Sequence, residues 1–181
     1  MAGDGVVEVD PAWHFPYFDS HMGAAVEEDY RAVDVLLLGR VTYDSFAGAW
    51  PERETAGGED ASFAAQLGDT RKVIATRGHT DLGWRNSEAV RGDLMEAVTT
   101  LKSDPAIGKI LVAGSVSVVR QLLSAGLLDE LILQVGSVTL GKGQPLFPRR
   151  VLSPTLRLVA SQPIGTSMIE LRYEVVRSQP G

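Results

Sequence analysis

Val33-Asp-Val-Leu-Leu-Leu-Gly-Arg-Val-Thr-Tyr-Asp-Ser-Phe46 decides the fold. Val35 to Leu38 is apolar at every position, so both faces of a strand there would be buried. Such a short run, closed by Gly39, reads as an interior strand of a parallel sheet. Arg40, Val41 and Thr42 then turn the chain into a short helix, expected from Thr42 to Ala47.

Outward from this stretch the same grammar repeats. Lys72 to Ala75 and Lys109 to Ala113 are apolar strands, and Glu88 to Val90 is a short one. Asp19 or Ser20 caps a helix running to about Ala32, Asp60 caps one through Leu67, and Pro51 to Asp60 reads as a surface loop. Asp93 caps a helix whose Leu94, Ala97, Val98 and Leu101 fall at i, i+3, i+4 and i+7. Val118, Val119, Leu122 and Leu123 stripe another, which Gly126 stops. Leu131 to Val135 continues the alternation as a strand, and residues 141–148 form a Gly/Pro loop. Leu156 to Ala160 and Met168 to Val176 read as a hairpin around Gly165. The expectation is one α/β domain over residues 1–181: a mostly parallel central sheet, helices on both faces and a C-terminal antiparallel hairpin.

The composition narrows the function. The chain has 181 residues, enough for a full core without staples. Its formal net charge is −6, which argues against a nucleic-acid or anionic-membrane binder. There is no cysteine, so disulfides, thiolate metal sites and thiol nucleophiles are excluded. His14, His21 and His79 are scattered without ligand spacing, and no metal site is expected. The first residues are acidic and lack an apolar signal core, so a cytoplasmic protein is expected.

Ligands of open α/β sheets sit beyond the carboxyl ends of the strands. Three strand ends here carry suitable chemistry. Gly39-Arg40-Val41-Thr42 offers a close backbone approach, a planar guanidinium and a hydroxyl at a helix start. Thr76-Arg77-Gly78 repeats the hydroxyl and guanidinium. Gly114-Ser115-Val116-Ser117 is a small-residue turn opening a helix, where free N–H groups attract an anion. Singly, each also reads as an ordinary strand-ending turn or a solvated charge. Together they point to a phosphate-rich ligand such as a dinucleotide.

The quoted stretch, with Ala49-Trp50-Pro51 behind it, resembles the LLLGRxTYexFxxxWP signature of the dihydrofolate reductase-like superfamily. The matching branch is the one related to the reductase domain of the bifunctional riboflavin-biosynthesis deaminase-reductase. Ile110-Leu-Val-Ala-Gly-Ser115, Leu122-Leu123, Gly126-Leu-Leu-Asp-Glu-Leu131 and Leu140-Gly-Lys-Gly-Gln-Pro-Leu-Phe147 are similar to its later motifs. Asp4-Gly5-Val6-Val7-Glu8 resembles the tail of its SLDG motif. The resemblance implies a dihydrofolate reductase-like fold and NADPH. It implies that Gly39, Arg40 and Thr42 hold the cofactor's phosphates and that Thr76 and Arg77 lie near the adenosine 2′-phosphate. Gly114 and Ser115 would turn over the pyrophosphate, with the helix start at Val116 and Ser117 behind them. Such reductases are commonly homodimers.

Two departures shape the expectation. Family members begin with a strand ahead of SLDG, whereas only Met1-Ala2-Gly3 precede Asp4, so this first strand is expected to be missing or shortened. Dihydrofolate reductases also carry a substrate carboxylate 16 residues ahead of the signature glycine, where this chain has Gly23. The deaminase motifs HxE and PCxxC are absent as well. The expected activity is therefore hydride transfer from NADPH to a C=N or C=O bond of a small heterocyclic or carbonyl substrate. The aromatic residues Trp13, Phe15, Tyr17, Phe18 and Trp50 are candidates to meet that substrate, or to close the core. Asp4, Glu8, Asp19 and Tyr43 are candidate proton donors. The competing reading is a non-catalytic or vestigial nucleotide-binding module of the same fold.

Overall fold

Val35–Gly39 forms β2, and all five residues are buried. In the computed structural model, which describes residues 1–3, 5–7, 15–78, 81–147 and 155–176, this strand has a parallel partner on each side. Burial on both edges and both faces explains why it tolerates no polar residue. The chain divides into two compact units, Tyr30–Val119 and Met1–Asp29 with Arg120–Gly181.

The first unit is a four-stranded parallel sheet in the order β4-β3-β2-β5, with β3 at Arg71–Ala75, β4 at Ser87–Ala89 and β5 at Ile110–Gly114. The registers pair Gly39 with Ala75 and Leu38 with Gly114, so the carboxyl ends of β2, β3 and β5 come level. Helix α2 (Arg40–Ala56) and helix α3 (Ala61–Asp69) connect β2 to β3, and α4 (Leu94–Ser103) leads into β5. Phe63, Ala64 and Leu67 of α3 and Val98 and Leu101 of α4 are buried. Each fully buried aliphatic side chain of this kind stabilises by roughly 1.5–3 kcal/mol. Asp93 caps α4 as expected, accepting the N–H groups of Met95 and Glu96 at 2.8 and 3.1 Å.

Helix α2 corrects the sequence reading, which placed a short helix before a loop beginning at Pro51. It runs 17 residues and continues through Pro51. A proline there forfeits one hydrogen bond. Contacts on both sides of it hold the last turns. The Trp50 ring meets Phe46 and Phe63 edge-on, with centroids 6.2 and 5.3 Å away. Glu54 takes the Arg85 guanidinium in two hydrogen bonds of 2.6 and 2.8 Å. Gly57, at φ 74°, ends the helix.

Lys72 is another feature of this unit. Its side chain is wholly buried in β3, and Nζ donates to the carbonyls of Leu67, Gly68 and Thr70 at 2.7, 2.9 and 2.7 Å. It thereby closes the C-terminus of α3, where carbonyls lack helical partners and the dipole favours a cation. The ammonium also lies 4.3 Å from the Trp84 ring centre.

The second unit holds a three-stranded antiparallel sheet, β6-β9-β8, with β6 at Glu130–Gly136, β8 at Thr155–Ile164 and β9 at Met168–Val176. The expected hairpin is β8 and β9. The strand expected at Leu131 to Val135 corrects the sequence picture: instead of extending the parallel sheet, β6 pairs with β9 in antiparallel register, Leu133 opposite Leu171. The residues ahead of Asp4 do form a piece of ladder. Ala2 bridges Gly136 in parallel, and the Met1 amine donates to the Gln134 carbonyl at 2.8 Å. Val6–Val7 (β1) pairs with Gln144–Pro145 (β7). Helix α1 (Ser20–Tyr30) is capped by Asp19, whose Oδ1 accepts the Met22 N–H at 3.0 Å. Helix α5 (Val116–Ser124) follows β5. Among the described residues no helix is long and apolar enough to cross a membrane.

Candidate functional site

The site is built where β2 and β5 end. Gly39 and Gly114 are neighbours across the sheet, and each is held close by the turn that follows the other strand. A Cβ on Gly39 would lie 2.4 Å from Ser115 Oγ and 3.0 Å from the Ser115 backbone nitrogen. A Cβ on Gly114, whose φ is 134°, would lie 2.9 Å from Thr42 Oγ1. Both positions therefore require glycine, one for space and one also for its backbone angle. The interlock brings Thr42, Ser115 and Ser117 to one sheet end, with Ser115 Oγ 2.8 Å from Ser117 Oγ. The Ser115 carbonyl accepts from the N–H groups of Val118 and Val119 at 3.0 and 3.1 Å, which fixes how α5 starts behind Val116.

The start of α2 has the chemistry of an anion site. Its flanking residue Gly39 gives no side-chain cap, and the first turn holds no acidic residue. The first N–H groups of a helix lack intrahelical partners and carry partial positive charge. Arg40 stands at that end, its Nε donating to both carboxylate oxygens of Asp44 at 2.8 Å. This hydrogen bond to Asp44 raises the Arg40 pKa above its ordinary value. Val41 beside it is 75% exposed, the most exposed large apolar side chain among the described residues. At the end of β3, Thr76 Oγ1 accepts the Gly78 N–H at 3.3 Å, and Arg77 is exposed.

Three sequence candidates take other places. Tyr43, expected as a proton donor, is 2% exposed, and its hydroxyl accepts the Trp84 N–H at 3.1 Å. That bond ties α2 to the segment before β4, a packing role. Asp19 is held below the usual carboxylate range, chiefly by the hydrogen bond from the Met22 N–H, and a carboxylate kept ionised does not serve as an acid. Trp50 joins the ring cluster with Phe46 and Phe63 and carries the Arg53 guanidinium 4.8 Å from its centre. Tyr17 ends a 3₁₀ turn at Phe15–Tyr17 and is partly exposed, as is Phe18. Asp4, Glu8, Trp13 and the Phe15 side chain lie outside the described residues.

Sequence reading missed Asp44, although its spacing from Arg40 is the i, i+4 interval at which helical charges meet. It also missed a cavity of about 610 Å³ along α2, lined among others by Tyr43, Asp44, Gly48, Asp81, Trp84 and Arg85. This cavity takes Tyr43 and Asp44 from α2, and neither Arg40 nor the glycines of the strand ends line it.

Known proteins give the same architecture. The chain is similar in structure to a pyrimidine reductase-like protein from Corynebacterium diphtheriae, with a TM-score of 0.67 at 16% identity over 98% of this chain and 90% of the other. It is also similar to RibD from Acinetobacter baumannii, with a TM-score of 0.68 at 15% identity over 98% of this chain. There the match spans 57% of RibD, so the chain corresponds to a little over half of that protein. No curated protein sequence matches. The model of the RibD C-terminal domain family matches residues 3–169, from the second residue past the start to the last strand. The chain therefore belongs to the RibD C-terminal domain family and has its dihydrofolate reductase-like fold.

Proposed function

We propose that this chain is an NADPH-dependent reductase acting on a small heterocyclic or carbonyl substrate, in the manner of a riboflavin-precursor reductase. The observation that carries the reading is the interlock of Gly39 with Ser115 and of Gly114 with Thr42 at one sheet end. It gathers hydroxyls, an uncapped helix start and an arginine, a donor set that fits the phosphates of a dinucleotide. Thr42, Ser115 and Ser117 would hold the pyrophosphate, and Arg40, Thr76 and Arg77 the 2′-phosphate side. Two arginines near one ribose favour the phosphorylated cofactor over NADH.

The bound cofactor supplies a hydride for a C=N or C=O bond. The chain's own residues bind and orient it through the strand-end turns. The proton for the reduced substrate is assigned to Asp4, Glu8 or water, since the Asp19 carboxyl is held ionised and the Tyr43 hydroxyl is buried. The aromatic segment containing Trp13, Phe15 and Tyr17 offers flat apolar surfaces for a planar substrate.

We further propose a cytoplasmic homodimer. Reactions that consume NADPH belong where it is regenerated. Support for the dimer comes from the β6-β9-β8 sheet, where Leu158 and Val159 of β8 are each 53% exposed and Ile169 and Val176 of β9 are also uncovered. A second copy of the chain would bury them.

Following NADPH absorbance at 340 nm with pyrimidine, pterin and dione substrates tests the catalytic reading. Steady oxidation with one of them is expected. Binding of NADPH without turnover on any of them would leave a nucleotide-binding module instead.

A further inference from the structure

Arg40 sits in an unusual electrostatic position. It is the first residue of α2, where a cation opposes the helix dipole. The positive charge is matched from two elements. Asp44, one turn further along α2, takes Nε with both carboxylate oxygens at 2.8 Å. Asp81, in the segment after β3, adds its negative charge to that of Asp44 at the guanidinium. Both aspartates also line the cavity along α2. A phosphate approaching Arg40 therefore meets a guanidinium already balanced by carboxylates.

We propose that Asp44 is a specificity-determining residue of the cofactor site: it competes with the 2′-phosphate for Arg40 and limits the preference for NADPH over NADH. The inference rests on the cofactor reading given above. Asp44 has two opposing effects. As an exposed i, i+4 partner it orients the guanidinium, a small effect in a solvated pair. As a fixed negative charge on the same guanidinium it repels a phosphate carrying nearly two charges. At separations of several ångströms in a solvated site this repulsion amounts to about a three- to tenfold loss of affinity. The repulsion is the larger effect and acts most strongly on the phosphorylated cofactor, which carries the additional charge at Arg40.

The test is Asp44→Asn, with Asp44→Ala as a second variant, titrated with NADPH and with NADH by nicotinamide fluorescence at low and at high salt. Asp44 is half exposed, so the fold should tolerate both changes. The expected result is a Kd for NADPH lower by about three- to tenfold, a much smaller change in the Kd for NADH and a smaller gain at high salt. Equal changes for both cofactors, or weaker NADPH binding, would overturn the proposal and leave Asp44 as a structural or orienting residue. An unchanged ratio in a variant that binds would also overturn it. If the unmutated protein binds neither cofactor, the cofactor reading itself fails and this inference goes with it.

Discussion

Ser115 occupies the space that a side chain at Gly39 would need, with its Oγ 2.4 Å from the position of an added Cβ. The contact joins the turns after β2 and β5, the two halves of the proposed phosphate site. Gly39→Ala is expected to destabilise by about 1–3 kcal/mol, because Ser115 and its backbone must shift. NADPH affinity should fall with it. Adding Ser115→Gly should recover part of the stability but not the affinity, since the hydroxyl is gone. Urea denaturation of both variants, with a cofactor titration, checks this. Full additivity of the two substitutions would show that the contact carries no energy.

Lys72 gives a prediction in pH. Burial chiefly, with help from the nearby Arg85 charge and against the pull of Asp69, lowers its pKa from 10.5 to about 8. The folded protein thus gives up this proton before the unfolded chain does. Between about pH 8 and 10.5 the unfolded state binds more protons, so the contribution of Lys72 to stability rises with pH through that window and is flat below it. Lys72→Met should lack the rise. At neutral pH it should also be less stable by about 2–3 kcal/mol, because the carbonyls of Leu67 and Thr70 lose a donor. Urea midpoints of both proteins across pH 7 to 10.5 would show the difference; parallel curves would contradict it.

In the antiparallel unit one arginine serves two carboxylates. Arg172 Nε donates to Glu170 Oε1 at 2.7 Å and its Nη2 donates to Asp29, while Glu170 Oε2 is buried without a partner. Arg172→Met should destabilise by about 3–5 kcal/mol, because Asp29 and Glu170 lose their shared counter-charge, although Gln134 and Gln162 still donate to them. Glu170→Gln keeps an acceptor for Arg172 and removes a buried charge, so its melting temperature should match or exceed that of the unmutated protein. A large loss in Glu170→Gln would mean that the charge itself is needed.

Leu158→Glu on β8 tests the proposed dimer. The substitution puts a charge on a side chain that is already 53% exposed within one chain, so the fold should survive. Sedimentation should show dimers for the unmutated protein and monomers for the variant. Identical masses for the two would remove β8 as the contact.

Much of this architecture is legible in the sequence because it is local. Val35–Gly39, the β3 and β5 strands, the Asp93 cap and the glycines at the strand ends announce themselves by pattern. The illegible parts depend on distant partners. Helix α2 passes Pro51 because Arg85 holds Glu54 and Phe63 holds Trp50, residues far along the chain. Nothing beside Thr42 shows that Tyr43 is buried with its hydroxyl accepting the Trp84 N–H, 41 residues along the chain. Lys72 sits in an apolar strand, and nothing in that strand shows that its ammonium ends the preceding helix. β6 carries the apolar pattern of a sheet strand, but pattern alone does not choose its neighbour, and β9 does. Within the site, the Arg40–Asp44 interval was readable from spacing, whereas the Gly39–Ser115 contact needed the register of β2 against β5.

The turns at Gly39, Thr76 and Gly114 are proposed to hold NADPH. Thermal unfolding of the unmutated protein and of Arg40→Ala, each with NADPH or NADH, tests this most directly. A ligand at a hundred times its Kd stabilises by about 2.7 kcal/mol, which raises Tm by several degrees. NADPH should shift the unmutated protein by that much and NADH by less, and Arg40→Ala should lose most of the difference. No shift with either cofactor, or equal shifts that Arg40→Ala leaves intact, would contradict the account.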